Sequence, residues 1–315
     1  MSVSITQWHN KQGGELRDGG APVSADCKLS GCNGIHRVAE QQPTTKSNAK
    51  RYKSVRASKH TGVDLWIASV PEYGALRDCV DMLSDEEVSC YRRLNLDADR
   101  ARFLNSHLLL RRGLSYAVDQ TVPLSQWHYE KGIHGKPCVA MGLPRLHFNI
   151  SDESRVSVVA VSTTHAVGVD VVAVTDYSFH RCITSTLSRR ELKSINLAPA
   201  RARPSSFARL WAVKEAYAKM TGQGMAVNLQ GIEGSLITGN GFIYPDKSTK
   251  EHEKAFIETR TVDLQGDEYC IALAVACAGS KISTVLHLVD HDGPDSKLRL
   301  VTGAAANSSA SCIQE

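Results

Sequence analysis

With 315 residues and 42% hydrophobic side chains the chain can build one or two globular cores, and no apolar run approaches the ~18–20 residues of a membrane span. A net charge of +4, from 37 basic and 33 acidic residues, is too small to mark a nucleic-acid-binding protein. Nine scattered cysteines without C-x-x-C spacing argue for reduced thiols, and with no basic-then-apolar signal at Met1 to His9 the expected compartment is the cytoplasm.

Residues 1–60 are rich in Gly, Ser, Thr, Asn, Gln and charge, without sustained periodicity, the composition of a poorly ordered basic arm. Its basic end, Lys46 to Lys59, and the arginines at 92, 93, 100, 102, 111 and 112 form two candidate surfaces for a phosphorylated ligand or an acidic protein. Residues 61–163 read as a first subdomain. It has a strand over Asp64 to Val70, a Ser84-x-x-Glu87 capping box, a helix over Arg102 to Leu114, a turn at Gly132 to Pro137, and strands at Leu146 to Ser151 and Val156 to Ser162.

Residues 164–284 repeat this order. A strand over Ala166 to Val172 precedes a second capping box at Ser188 and Glu191, a helix over Phe207 to Met220 stopped by Gly222, and strands near 241, 255 and 269. Ser84 and Ser188 stand 104 positions apart, as do Phe103 and Phe207. The spacing predicts an α+β fold of two similar, pseudo-duplicated subdomains with a ligand cleft between them. Residues 285–315 have the composition of a flexible tail.

Chemistry enters at Asp170. In a strand of period two, Val167, Val169 and Val171 share one face, and Gly168, Asp170 and Val172 the other. An ionised carboxylate there needs a cation or hydrogen-bond donors beside it. Glu215 and Lys219 are four apart on one helix and neighbour each other, with Trp211 a turn earlier on the same stripe. Taken alone, that spacing equally describes an ordinary surface ion pair.

The order Gly135-Lys136-Pro137, Phe148-Asn149-Ile150-Ser151, Gly168-Val169-Asp170-Val171, then Trp211 through Gly222 resembles the 4′-phosphopantetheinyl transferases, in the larger class that activates nonribosomal peptide and polyketide synthases. The resemblance implies transfer of the phosphopantetheine arm of coenzyme A to a serine of an apo acyl or peptidyl carrier protein. It implies Mg2+ as cofactor and adenosine 3′,5′-bisphosphate as the released product. By the resemblance, Asp170 and Glu215 are metal-binding acids, Glu215 accepts the serine proton, and Lys219 steadies the transferred phosphoryl group. Lys136, Lys214 and Ser151 match positions near the coenzyme A phosphates, and Arg92 and Arg93 are further candidates. A monomer suffices, since both halves lie in one chain.

Two positions depart from the pattern. Val172 stands where many relatives have a third acid, so water or Glu153 is expected to complete the metal shell. Asp152 stands where relatives have a histidine, so either it turns away and a base such as Arg155 compensates, or coenzyme A binding weakens. These departures motivate an alternative reading, a coenzyme A and carrier-protein binder with weakened catalysis.

Overall fold

A computed structural model describes residues 62–132, 135–175, 186–223, 227–232, 240–243, 254–264, 266–277 and 282–289. The expected basic arm and most of the expected tail lie outside them.

Strand β1 (Val63–Ser69) leads through a short helical stretch at 73–82 to helix α1 (Asp85–Tyr91) and the long helix α2 (Asp97–Ala117). The expected Ser84 cap forms in full: its hydroxyl accepts from the Glu87 amide while the Glu87 carboxylate accepts from the Ser84 amide. A small hairpin, β2 (Tyr129–Lys131) and β3 (Pro137–Val139), precedes β4 (His147–Glu153) and β5 (Val156–Ser162). Strand β6 (Val167–Ala173) opens the second half, followed by α3 (Arg189–Leu197), α4 (Arg203–Thr221), β7 (Asn240–Ile243), β8 (Ala255–Leu264) and β9 (Asp267–Ala276). Ser188 and Glu191 again close a reciprocal cap, and Gly222 ends α4 in the left-handed region at φ 73°.

The strands form two four-stranded sheets, ordered β10-β1-β5-β4 and β6-β9-β8-β7. Strand β10 (Thr284–Val289) runs parallel to β1. Residues 285–289 of the expected tail thus belong to a strand: the apolar face of Leu286 and Leu288 packs against the core between the sheets, which composition alone did not reveal. Within each half the first strand pairs antiparallel with the last, which pairs antiparallel with the one before it.

Alternation along the strands builds a four-layer sandwich. Trp66, Phe148, Ile150, Val159 and Val161 face α2. Leu65, Ile67, Val158, Val169, Ile271 and Leu273 fill the space between the sheets. Val172, Cys270, Ala272 and Ala274 face α4. The chain is thus a mixed α/β protein. Among the described residues no helix is long and apolar enough to cross a membrane.

Strands β4 and β6 are the sheet edges that meet, and this junction positions the site. An edge strand leaves its amides unpaired unless something covers them. Here the Asn149 carboxamide oxygen accepts from the Val169 amide at 2.8 Å and the Ser151 hydroxyl from the Val171 amide at 3.4 Å. The Phe-Asn-x-Ser element is therefore the seam between the two sheets.

Candidate active site

Asp170 sits at the centre of β6, buried, on the face turned to α4. Gly168 allows the helix that close: a Cβ there would lie 2.0 Å from the Ala216 carbonyl oxygen and 2.3 Å from the Met220 amide. Both obstacles are backbone, so only glycine fits. The approach brings Lys219 Nζ to 2.6 Å from Asp170 Oδ1 and 3.0 Å from Ser151 Oγ. The Ser151 hydroxyl donates in turn to Asp170 Oδ1 at 2.9 Å. A carboxylate, an ammonium and a hydroxyl from β6, α4 and β4 thus form one buried group, which meets the need for a cation that the lone strand aspartate raises.

Glu215, one turn before Lys219, is half-buried, and its carboxyl is pushed up to about 7. Burial is the main cause and the Asp170 charge adds to it, while Lys219 opposes both. Asp152 is likewise raised to about 7, by burial first, and Glu153 is raised by burial; each also feels the charge of Asp170. The Asp170 charge therefore reaches Glu215, Asp152 and Glu153, in a region where Lys219 bonds Asp170 and Arg102 bonds Asp152. That excess of negative oxygen suits a hard divalent cation, which takes one or two protein carboxylates and completes its shell with water and phosphate. Asp170 and Glu215 supply such a pair. Among the described residues no three His, Cys, Asp or Glu side chains form a metal-holding group; the Glu153 carboxylate accepts from the Ser154 hydroxyl at 3.1 Å on the exposed turn. Val172 packs in the α4 core.

Several expected positions take other roles. Lys214, matched to the coenzyme A phosphates, is wholly buried; its ammonium lies 3.0 Å from Glu191 Oε2 and donates to the Leu229 and Ile232 carbonyls at 2.5 Å each. Fully committed inside the protein, it ties α4 to α3 and to the segment after α4, and the expectation of a phosphate contact is corrected. Lys136 donates to the Val167 carbonyl at 2.9 Å and the Met220 carbonyl at 3.1 Å, with its stem over Gly222, so it clamps the start of β6 to the end of α4. Ser151 joins the Asp170 group. Arg92 and Arg93 stand exposed just past α1, and Arg93 contacts Cys90 Sγ at 2.7 Å. Arg102 of α2 compensates Asp152, with Nε 3.1 Å from its Oδ2. Asn149 had no role in the sequence reading; its alternation with Phe148 and Ile150 was the signal that it faces away from the α2 core.

Residues 166–274, which carry the whole Asp170, Glu215 and Lys219 set, match the sequence model of the 4′-phosphopantetheinyl transferase superfamily. This segment is similar to that superfamily. The chain is 28% identical over 207 residues to the 4′-phosphopantetheinyl transferase HetI of Nostoc sp., covering 65% of this chain and 82% of the relative. It is 28% identical over 145 residues to the 4′-phosphopantetheinyl transferase gsp of Aneurinibacillus migulanus, covering 46% and 58%. It is also 28% identical over 156 residues to the 4′-phosphopantetheinyl transferase psf-1 of Bacillus pumilus, covering 49% and 64%. The matched segment therefore contains the place where the strand carboxylate Asp170, the helix carboxylate Glu215 and Lys219 come together.

Proposed function

We propose that this protein transfers the 4′-phosphopantetheine group of coenzyme A to a serine hydroxyl of an apo acyl or peptidyl carrier protein, in a Mg2+-dependent reaction that releases adenosine 3′,5′-bisphosphate. The observation that carries the reading is the convergence of Asp170, Glu215 and Lys219 within the superfamily segment. Asp170 and Glu215 are the residues that would hold the ion, which when bound supplies charge neutralisation to the pyrophosphate and its leaving oxygen.

Glu215, its carboxyl near 7, is poised to take the proton of the attacking serine at neutral pH. Lys219 offers its ammonium to the phosphoryl oxygens as the bond to the leaving phosphate breaks. Asp170, anchored on the sheet, orients Lys219, and Ser151 fixes the orientation of both. The two halves act as repeats of one unit with the donor bound in a cleft between them, so a monomer suffices, and the setting is the cytoplasm.

Mass spectrometry of candidate apo carriers incubated with this protein, coenzyme A and Mg2+ tests the proposal. The expected result is the mass gain of one phosphopantetheine, lost without Mg2+ and lost in Asp170→Ala. Binding of coenzyme A with no transfer to any carrier would instead support the binding-only reading.

A further inference from the structure

The first sheet ends at β4 on one side and at β10 on the other. The β4 edge is closed by the seam with β6. Strand β10 pairs with β1 alone, and among the described residues no backbone group of residues 284–289 bonds on the side away from β1. The strand is nonetheless firmly held, since His287 stacks on Trp66 and lies 2.7 Å from the Asp64 carboxylate. Thr284-Val-Leu-His-Leu-Val289 carries neither of the usual edge protections, a lysine or a proline. Leu286 and Leu288 are only half-buried at the rim of the core between the sheets, and the Thr284 hydroxyl oxygen is buried with no hydrogen-bond partner among the described residues. An edge of this kind is a template for one more strand.

The sequence after β10 contains a matching strand pattern. Asp290 to Ser296 has turn composition, with Gly293-Pro294 at its centre, and Lys297-Leu298-Arg299-Leu300-Val301-Thr302 then alternates with period two. A hairpin closed at Val289 and Lys297 sets Leu288 opposite Leu298, His287 opposite Arg299, Leu286 opposite Leu300, Val285 opposite Val301 and Thr284 opposite Thr302. Opposite residues of an antiparallel pair share a face. In this register Leu298 and Leu300 extend the apolar rim, and Thr302 meets the unpartnered hydroxyl of Thr284, a pairing that stabilises antiparallel strands. Arg299 falls on the face of Asp64, two strand spacings or about 10 Å across the sheet, so its cation can turn toward that carboxylate. A slip of one residue would instead set Arg299 against the leucine rim.

We propose that the open edge of β10 is the docking site for residues 297–302 of the same chain, which add to the first sheet as an antiparallel strand. The inference stands apart from the transferase reading. The connection is short, residues 290–296, so the segment is presented to the edge at an effective concentration on the order of millimolar. A second copy of the chain would have to outcompete it. The added strand replaces an uncharged edge by one that carries Lys297 and Arg299, the kind of edge that resists pairing with other chains.

The test is amide hydrogen exchange of the full chain, read residue by residue. The β10 amides that point away from β1 should exchange about tenfold or more slowly than freely exposed backbone, independently of protein concentration. The full chain carrying Leu298→Asp and Leu300→Asp together should lose that protection, while the amides shared by β1 and β5 keep theirs. The same variant, with its edge uncovered, should self-associate as its concentration rises, which size-exclusion chromatography reads. Should the double variant lose protection throughout, Leu300→Asn alone is read in the same way. Outward β10 amides that exchange freely in the wild type overturn the proposal. Protection that survives in the variants overturns it as well, because another occupant then covers the edge. Wild-type protection that appears only at high protein concentration assigns the edge to a second copy and equally overturns it.

Discussion

The two halves place different chemistry at positions that share one spacing. Strands β1 and β6 are each seven residues long and begin at positions 63 and 167, 104 apart, the spacing that also separates Ser84 from Ser188 and Glu87 from Glu191. The fourth residue of β6 is Asp170; the fourth of β1 is Trp66, stacked on His287 with ring centroids 4.0 Å apart. Where Lys219 reaches Asp170, the first half has Ser115, which donates to the Val122 carbonyl and accepts from the Trp127 indole, at 2.8 Å each. One helix-to-sheet junction is sealed with aromatic rings and neutral hydrogen bonds, and the other keeps crowded charge. A buried ionic group costs stability unless it is fully compensated, so at this helix-to-sheet junction it is to be expected only in the half that uses it.

The largest effect expected from that contrast is on catalysis. Asp170→Asn keeps the shape of the junction but removes the charge that orients Lys219 and that, in the proposed function, would hold a cation; transfer should fall by ~10²–10³ or more, the scale of losing one preorganised electrostatic partner. Trp66→Phe, its counterpart in the first half, should leave kcat within a few-fold. Comparable losses in the two variants would mean that the halves share the chemistry.

Next come the buried capping acids. Glu87 is held by Arg111, with Nη2 2.5 Å from Oε2, and by His107 at 2.6 Å; Glu191 is held by Lys214. Removing one partner of a buried pair costs ~3–5 kcal/mol, so Glu87→Gln and Glu191→Gln should both lower the urea midpoint. They should differ in activity: Lys214 adjoins Glu215, so Glu191→Gln should also depress kcat of the folded protein, whereas Glu87→Gln should not. The glycines at the two junctions sharpen the comparison on a smaller scale. Gly168→Ala meets backbone at 2.0 Å and should cost ~3 kcal/mol or more, the upper end of overpacking. Gly113→Ala meets the tips of Trp66 and Val161 at 3.2 Å, where alanine's ~1 kcal/mol gain in helix propensity offsets much of the strain. Thermal melts of both variants measure the difference.

What was legible in the sequence was local. Period-two alternation placed Asp170 opposite the valines, and reciprocal Ser and Glu spacing placed both capping boxes, because each is settled within a few residues. The partners of buried charges were not legible, since they come from distant elements. Lys214 reads like a ligand-binding lysine beside Glu215 until α3 folds against it and Glu191 takes its charge. Lys136 fits a phosphate contact until the turn that carries it meets the carbonyls of Val167 and Met220. Arg155 neighbours Asp152 in sequence, yet Arg102, fifty positions away, is the residue that α2 brings to it. Strand β10 was missed because it is short and its pairing partner, β1, lies more than 200 residues earlier.

The smallest expected effect separates the halves by pH. Burial alone would raise the Glu87 carboxyl, but hydrogen bonds and charge from His107 and Arg111 outweigh it and hold that carboxyl well below the usual carboxylate range. A group depressed on folding stabilises the protein fully above its unfolded pKa, ~4.3 for glutamate, and loses that contribution as pH falls toward the folded value. Across that window the unfolded chain carries the extra proton, so stability falls by up to ~1.4 kcal/mol per pH unit from this group alone. Glu87→Gln removes the titrating group, so the difference in urea stability between wild type and variant should be flat from pH 6 to pH 5 and shrink steadily from about pH 4 to pH 3. A difference that stayed constant down to pH 3 would mean that the first half does not draw its stability from an ionised Glu87, and the contrast between a half that spends its buried charge on folding and one that keeps it for chemistry would fail.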